Sequence, residues 1–282
     1  MGDSSVNVFE AILLGAVQGL TEFLPVSSSG HLVLVQNILH IEAPALFFDT
    51  LLHGGTLVAV IVVLRRDIWA LLRSPFQRLT WLLLIATAVT AVFAFLLKDY
   101  IEEAFASGRV LGFAFLFTSA ALFIAEYLFH RSGAPRSDAE MGLLESLFIG
   151  ALQGVAIIPG VSRSGLTLSG ALSCKLERDF AARFSFLLSI PAILGALLLQ
   201  IKELYDYSRF QSVNPEARKV IVGGIDTIPL MAGTLTALLV GFASMVLMMR
   251  IVRERSLRGF GVYTAILGLL ILLDQNLLHI VF

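Results

Sequence analysis

Residues 9–30 read FEAILLGAVQGLTEFLPVSSSG and residues 144–165 read LESLFIGALQGVAIIPGVSRSG, so one 22-residue pattern recurs 135 residues further along the chain. Nine positions are identical without a gap: Glu10/Glu145, Gly15/Gly150, Ala16/Ala151, Gln18/Gln153, Gly19/Gly154, Val26/Val161, Ser27/Ser162, Ser29/Ser164 and Gly30/Gly165. Each copy has an apolar half, a Pro/Gly/Ser break and a second apolar half. The breaks are Leu24-Pro25-Val26-Ser27-Ser28-Ser29-Gly30 and Pro159-Gly160-Val161-Ser162-Arg163-Ser164-Gly165. Each half has about 12–17 residues, short of the roughly 20 that a spanning helix needs. The pattern predicts a helical hairpin that enters the bilayer and returns on the same side. Irregular backbone at membrane depth persists only inside protein or beside a watery cavity, so both breaks are candidate site walls.

Composition agrees with a membrane setting. The 282 residues are 57% hydrophobic with a mean hydropathy of +0.87, whereas soluble domains are about 45–50% apolar. The excess is spread over the whole length, which defines an all-α polytopic membrane protein. Six segments read as transmembrane helices, approximately 50–64, 80–97, 109–129, 181–201, 229–249 and 259–280. One re-entrant helical hairpin plus three transmembrane helices makes each unit, repeat one over about 8–130 and repeat two over about 143–282, within a single membrane domain. Three is odd, so the second unit inserts upside down. The expectation is an inverted-topology repeat whose broken elements meet near the midplane.

Loop charges orient it. Arg65, Arg66, Arg73, Arg78, Arg131, Arg136, Lys175, Arg178, Arg183, Arg250, Arg253, Arg255 and Arg258 fall on one side; Lys98, Arg109, Lys202, Arg209, Arg218 and Lys219 fall on the other. The richer side is expected to be cytoplasmic, with both termini outside and hairpin one entering from the outer face. The loop over about 202–228, with Tyr205, Tyr207 and Phe210, is then outside and suits the bilayer surface. The net charge of −1 says nothing about nucleic acid, but no basic patch with interleaved aromatics appears, so no nucleic-acid partner is expected. The single cysteine, Cys174, excludes an intramolecular disulfide. Nothing in the pattern separates a monomer from a homodimer.

The two breaks differ in chemistry. The first carries Glu22, Ser28 and His31 where the second has Ile157, Arg163 and Leu166. An arginine in a bilayer needs a partner or a ligand, and the guanidinium fork matches phosphate oxygens. The hydroxyls of Ser162 and Ser164, free N–H groups at the following helix start, and Thr167 one turn on add anion contacts. Ser27 and Ser29 are their counterparts in the first break. An Arg163–Glu22 pair is the structural alternative, and it also brings the hairpins together. Glu22 lies one turn after Gln18, so the two can share a divalent cation with phosphate and water; alternatively Glu22 is a general base. Ser28 and His31 support two nucleophile assignments, Ser28 with His31 as base or acid, or His31 itself with Ser28 holding the phosphate. His53, before Gly54-Gly55, reads mainly as close packing at a helix start or a cavity rim, and Glu10 and Glu145 as matched structural residues.

The strings Gln18-Gly-Leu-Thr-Glu22-Phe-Leu-Pro-Val-Ser-Ser28-Ser-Gly-His31 and Pro159-Gly-Val-Ser-Arg163-Ser-Gly-Leu-Thr167 closely resemble the paired signatures of the bacterial undecaprenyl-diphosphate phosphatase family, also called the bacitracin-resistance protein family. The resemblance covers essentially the whole chain. It implies a multi-pass enzyme of the bacterial cytoplasmic membrane that converts a polyprenyl diphosphate lipid, undecaprenyl diphosphate, to the monophosphate and inorganic phosphate. It further implies recycling of the carrier for peptidoglycan synthesis, dependence on Mg2+ or Ca2+, bacitracin resistance on overproduction and a site open to the outer, periplasmic face. Carried across, Glu22, His31 and Arg163 are the essential set and Ser28 the disputed nucleophile. Ser27, Ser29, Ser162, Ser164 and Thr167 are the phosphate contacts. Gln18 stands where many members have glutamate, so metal contact falls mainly on Glu22 with Gln18 beside it. Because inverted repeats with broken helices are also a transporter design, a transporter or lipid flippase is the rival reading.

Overall fold

In the computed structural model, the described residues are 6–41, 46–97, 110–131, 133–210 and 226–282, with the backbone alone for 46–47, 200 and 203–210. Tyr205, Tyr207 and Phe210 of the expected surface stretch therefore lie outside the described side chains, and 211–225 outside the described residues.

Every described element is helical. The first copy forms α1 (Val8–Phe23) and α2 (Ser28–Ile38), and the second forms α7 (Leu143–Val155) and α8 (Arg163–Ser173). Their lengths of 16, 11, 13 and 11 residues correspond to about 16–24 Å, less than the ~30 Å hydrocarbon core. Local chemistry sets these ends. Asn7 caps α1 by accepting from the Glu10 amide at 3.0 Å, while the Glu10 carboxylate accepts from the Asn7 amide at 2.9 Å, a reciprocal capping box. Glu145 makes the matching contact with the Gly142 amide at 2.8 Å, so both glutamates are structural, as expected. Pro25 stops α1, and the second half of each copy restarts on a serine cap. Ser27 Oγ accepts from Gly30 N at 3.2 Å and Ser162 Oγ from Gly165 N at 3.0 Å.

Between and after these lie α3 (Leu46–Val63), α4 (Arg65–Arg73), α5 (Arg78–Leu96), α6 (Leu111–His130), α9 (Arg178–Phe210), α10 (Thr227–Glu254) and α11 (Arg258–Leu273), the last running into a π turn at Asp274–Leu278. Among the described residues five helices are long and apolar enough to cross a membrane: α5, α6, α9 over Arg178–Leu199, α10 and α11 through Leu278. The expected span over 50–64 falls within α3, whose described side chains run over Phe48–Val63 and are mostly apolar; Arg65, Arg66 and Asp67 open α4 directly behind it. Phe95, Phe113, Leu239 and Leu269 point outward, each at least 59% exposed. An apolar surface of that extent needs a lipid environment to cover it.

The two copies dock alike. Helix α1 packs along α10, and α7 packs along α5. Both contacts use the same repeat position: a Cβ on Gly15 would lie 2.2 Å from Gly233 O, and one on Gly150 would lie 2.6 Å from Ala86 O. Thr90 Oγ1 reinforces the second contact by donating to Gly150 O at 3.1 Å. Only glycine lets backbones approach so closely. Towards the arginine-rich end, both carboxylate oxygens of the fully buried Glu126 of α6 accept from Arg178 Nη2, at 3.0 and 2.8 Å, and Oε1 also accepts from the Leu257 amide at 2.8 Å. That carboxylate ties α6 to the start of α9 and to the turn before α11.

Candidate active site

The breaks meet. Glu22, in the last turn of α1, is buried with its side chain 1% exposed. Its Oε1 accepts from Nη2 of Arg163, the first residue of α8. Its Oε2 accepts from Ser28 Oγ at 2.6 Å and from Gln18 Nε2 at 2.9 Å. The i, i+4 spacing puts Gln18 and Glu22 on one face of α1, and Pro25 turns the chain so that Ser28, opening α2, points back at that carboxylate.

Further bonds sew the breaks together. Ser29 Oγ accepts from Gly160 N at 3.3 Å, and Ser164 Oγ donates to Leu24 O at 3.0 Å. Ser162 N donates to Thr118 Oγ1 of α6 at 3.0 Å. Gly160 itself sits at φ +85°, in the left-handed region that glycine enters without strain. Ser27 and Ser162 serve as helix caps, and Thr167 Oγ1 donates to Arg163 O at 2.9 Å while also contacting Ser185 of α9.

His31 departs from expectation. The sequence groups its imidazole with the Ser28 hydroxyl; the structure gives Ser28 to Glu22. His31 Nδ1 donates to Ser27 O at 2.7 Å, and Nε2 meets Tyr263 Oη of α11 at 2.7 Å. With the Nδ1 proton on a carbonyl, the neutral imidazole accepts from the tyrosine at Nε2. Phe115 contacts the ring edge-on at 5.4 Å between centroids. The cause is local: one turn into α2, the imidazole folds back on its own cap carbonyl, whereas the first residue of the helix faces α1.

His53, which the sequence left as packing, belongs to the same cluster. Its Nδ1 lies 2.8 Å from Gln18 Nε2 and 3.3 Å from Glu22 Oε2. Gln18 thus gives one amide proton to the carboxylate and one to the imidazole. Its Oε1 is buried and has no hydrogen-bond partner among the described residues; the same holds for Arg163 Nη1. Tyr263, His53 and Ser185 are the contacts that sequence reasoning missed or set aside. A histidine and a tyrosine inside otherwise apolar helices were the available signals.

Chemically, the arrangement is a buried carboxylate that receives a serine proton on one oxygen and a guanidinium on the other. One guanidinium nitrogen remains available, at the N-terminus of a helix. Those groups suit activation of a hydroxyl beside an oxyanion. The fold and cluster define a multi-pass helical membrane protein with a polar centre built from two copied, broken hairpins. The chain belongs to the bacitracin resistance protein BacA family, whose model matches residues 11–270. It is 44% identical to the undecaprenyl-diphosphatase of Carboxydothermus hydrogenoformans, over 96% of this chain and 98% of that one. It is 38% identical to the protein of that name in Methanosphaera stadtmanae, over 94% and 97% of the two chains. Undecaprenyl-diphosphatase 3 of Bacillus cereus is 37% identical over 96% and 98%.

Proposed function

We propose that this chain is an integral membrane hydrolase that splits undecaprenyl diphosphate into undecaprenyl phosphate and inorganic phosphate, returning the lipid carrier to peptidoglycan synthesis. Family membership and the relatives' names support the reaction. The observation that carries the site assignment is the Ser28–Glu22–Arg163 chain across the two breaks.

Ser28 Oγ attacks the terminal phosphorus while its proton passes to Glu22 Oε2, to which it is already bonded. The bridging P–O bond breaks, its electron pair leaves on the lipid phosphate, and Glu22 passes the proton to that departing oxygen. The Arg163 guanidinium and the first amides of α8 stabilise the charge on the transferred group. Water then releases phosphate from Ser28. His31 has both ring nitrogens engaged by Ser27 and Tyr263, which favours Ser28 over His31 as nucleophile; His31 braces the turn that presents Ser28. The five phosphate-contact residues read from the sequence, Ser27, Ser29, Ser162, Ser164 and Thr167, then hold the cradle's shape through the bonds described above.

A divalent cation fits as a companion of the substrate. Among the described residues no three His, Cys, Asp or Glu side chains converge as a metal cage, but the unpartnered Gln18 Oε1 and the Glu22 carboxylate are oxygen donors of the kind Mg2+ and Ca2+ accept. Gln18 and Glu22 would hold it together with diphosphate oxygens, and it would supply charge neutralisation there.

The inverted repeat is part of the same proposal. The matched docking of α1 on α10 and α7 on α5 through Gly15 and Gly150 supports it, as does the short length of the four hairpin helices. Lys/Arg asymmetry supports a cytoplasmic-membrane orientation with both termini and the site on the outer side. The flippase reading is not favoured, because binding alone needs no serine hydrogen-bonded to a buried carboxylate.

Purified protein given undecaprenyl diphosphate should release phosphate, and mass spectrometry of the quenched reaction should locate phosphate on Ser28. Full turnover in Ser28→Ala would overturn the nucleophile assignment; full turnover in Arg163→Ala would overturn the site.

A further inference from the structure

Beyond the Glu22–Arg163 pair, against α9, lies a small cavity with a volume of about 10 Å3. That is close to the ~10–15 Å3 needed to admit one water, and far too small for a phosphate group. Its polar wall is Glu22, Arg163, Ser164, Thr167, Ser185 and Ser189. The buried rings of Phe23 and Phe186, packed edge to face at 5.8 Å, close the apolar side.

The hydrogen-bond complement of this wall identifies its occupant. Ser164 gives its proton to Leu24 O at 3.0 Å, Ser189 to Phe186 O at 2.7 Å, and Thr167 to Arg163 O at 2.9 Å. Ser185 is bonded to the Thr167 oxygen and supplies the proton of that contact. Each of the four hydroxyls therefore offers lone pairs to the cavity. The Glu22 carboxylate also accepts only. The donors on the wall's side chains belong to Arg163, whose Nη1 is buried and has no partner among the described residues. A fitting ligand is neutral, donates at least twice and accepts once. A phosphate group meets the wrong complement, and a cation would face the guanidinium.

We propose that this cavity seats the hydrolytic water. The proposal rests on the phosphatase reading above. Ser28 occupies Oε2 of Glu22 and Arg163, on the cavity wall, occupies Oε1, so the serine and the water flank one carboxylate. In the second half-reaction the water oxygen bonds to the phosphorus carried by Ser28. The P–Oγ bond breaks with its electron pair going to Oγ. One water proton moves to Glu22 and from there to Oγ, and the other leaves with inorganic phosphate. Ser185 and Ser189 position the water without touching the lipid.

The test is the choice of nucleophile in water–methanol mixtures, with inorganic and methyl phosphate separated by 31P NMR. A pocket cut for one water rejects the extra methyl group, and one methylene in a binding pocket is worth about 10–200-fold in discrimination. Wild-type protein should therefore form methyl phosphate at least about tenfold below the solvent ratio. Ser189→Gly and, separately, Ser185→Gly widen the pocket and should raise the methyl phosphate share severalfold while lipid monophosphate is still released. Methyl phosphate from wild type in proportion to solvent composition would overturn the pocket, and so would an unchanged share in both variants. The wild-type ratio tests the idea even if a variant fails to fold. Absence of any lipid monophosphate from wild type would instead overturn the phosphatase reading, and this proposal with it.

Discussion

Replacing Glu22 by glutamine keeps the shape of the side chain and removes its charge, so it isolates what the carboxylate does. In the structure that carboxylate receives Arg163 on Oε1 and accepts protons from Ser28 and Gln18 on Oε2. An amide can keep one of these arrangements only. If its oxygen faces Ser28 and Gln18, its NH2 group opposes the Arg163 guanidinium, donor against donor. Removing one member of a buried ion pair costs about 3–5 kcal/mol. Loss of a positioned general base costs about 100–10,000-fold in rate, roughly 3–5 kcal/mol of barrier. Glu22→Gln should therefore lower kcat/KM for lipid diphosphate by about a thousandfold or more and lower the thermal midpoint in detergent. The double variant Glu22→Gln with Arg163→Met separates the two losses. It removes the stranded charge, so stability should recover relative to Glu22→Gln alone while activity stays lost. Activity of Glu22→Gln within tenfold of wild type, or stability losses that simply add in the double variant, would refute the reasoning.

Three further outcomes follow from other parts of the molecule. Glu126→Gln strands the Arg178 guanidinium and loosens the Leu257 amide; it should cost about 3 kcal/mol of stability with KM unchanged, read by thermal unfolding beside kinetics. Gly150→Ala places a Cβ 2.6 Å from Ala86 O, and should lower folded yield more than Gly195→Ala, where nothing lies within 4 Å. Chelation should abolish phosphate release and added Mg2+ or Ca2+ should restore it, with Gln18→Glu lowering the concentration of metal required, because a carboxylate there adds a charged oxygen donor.

The hairpins were legible because their rules are local. Pro25 ends a helix whatever surrounds it, and the Ser-x-x-Gly spacing writes a cap at both restarts. The meeting of Glu22 with Arg163 was legible for a different reason: a lone guanidinium in an apolar chain must find an anion, and Glu22 was the acid without a copy. What stayed hidden depends on which side of an apolar helix faces inward. Tyr263 is exposed like its neighbours Val262, Ile266 and Leu269, and an apolar span in lipid has no polar face to mark which of its residues meets a buried partner. Ser185 and Ser189 are small polar residues of a kind membrane helices carry for packing alone. Glu126, in the last turn of α6, is a buried acid only because α9 and the turn before α11 close over it.

Duplication supplies a scaffold but leaves a chemical problem, since two identical breaks facing each other would present like to like. Two Glu22-type acids would repel in the bilayer interior, and two Arg163-type cations would do the same, each at low dielectric where the penalty is greatest. The divergence at three positions, Glu22 for Ile157, Ser28 for Arg163 and His31 for Leu166, removes that conflict. It leaves one acid, one guanidinium and one hydroxyl converging on a single point. The shared positions Gly15/Gly150, Ser27/Ser162 and Gly30/Gly165 carry no such conflict, because they act on backbone, and backbone is the same in both copies. Chemical asymmetry and structural symmetry therefore sort onto different residues of one motif. A chain with Ile157 changed to glutamate would carry a second acid at the position matching Glu22, and it should gain no activity and lose stability.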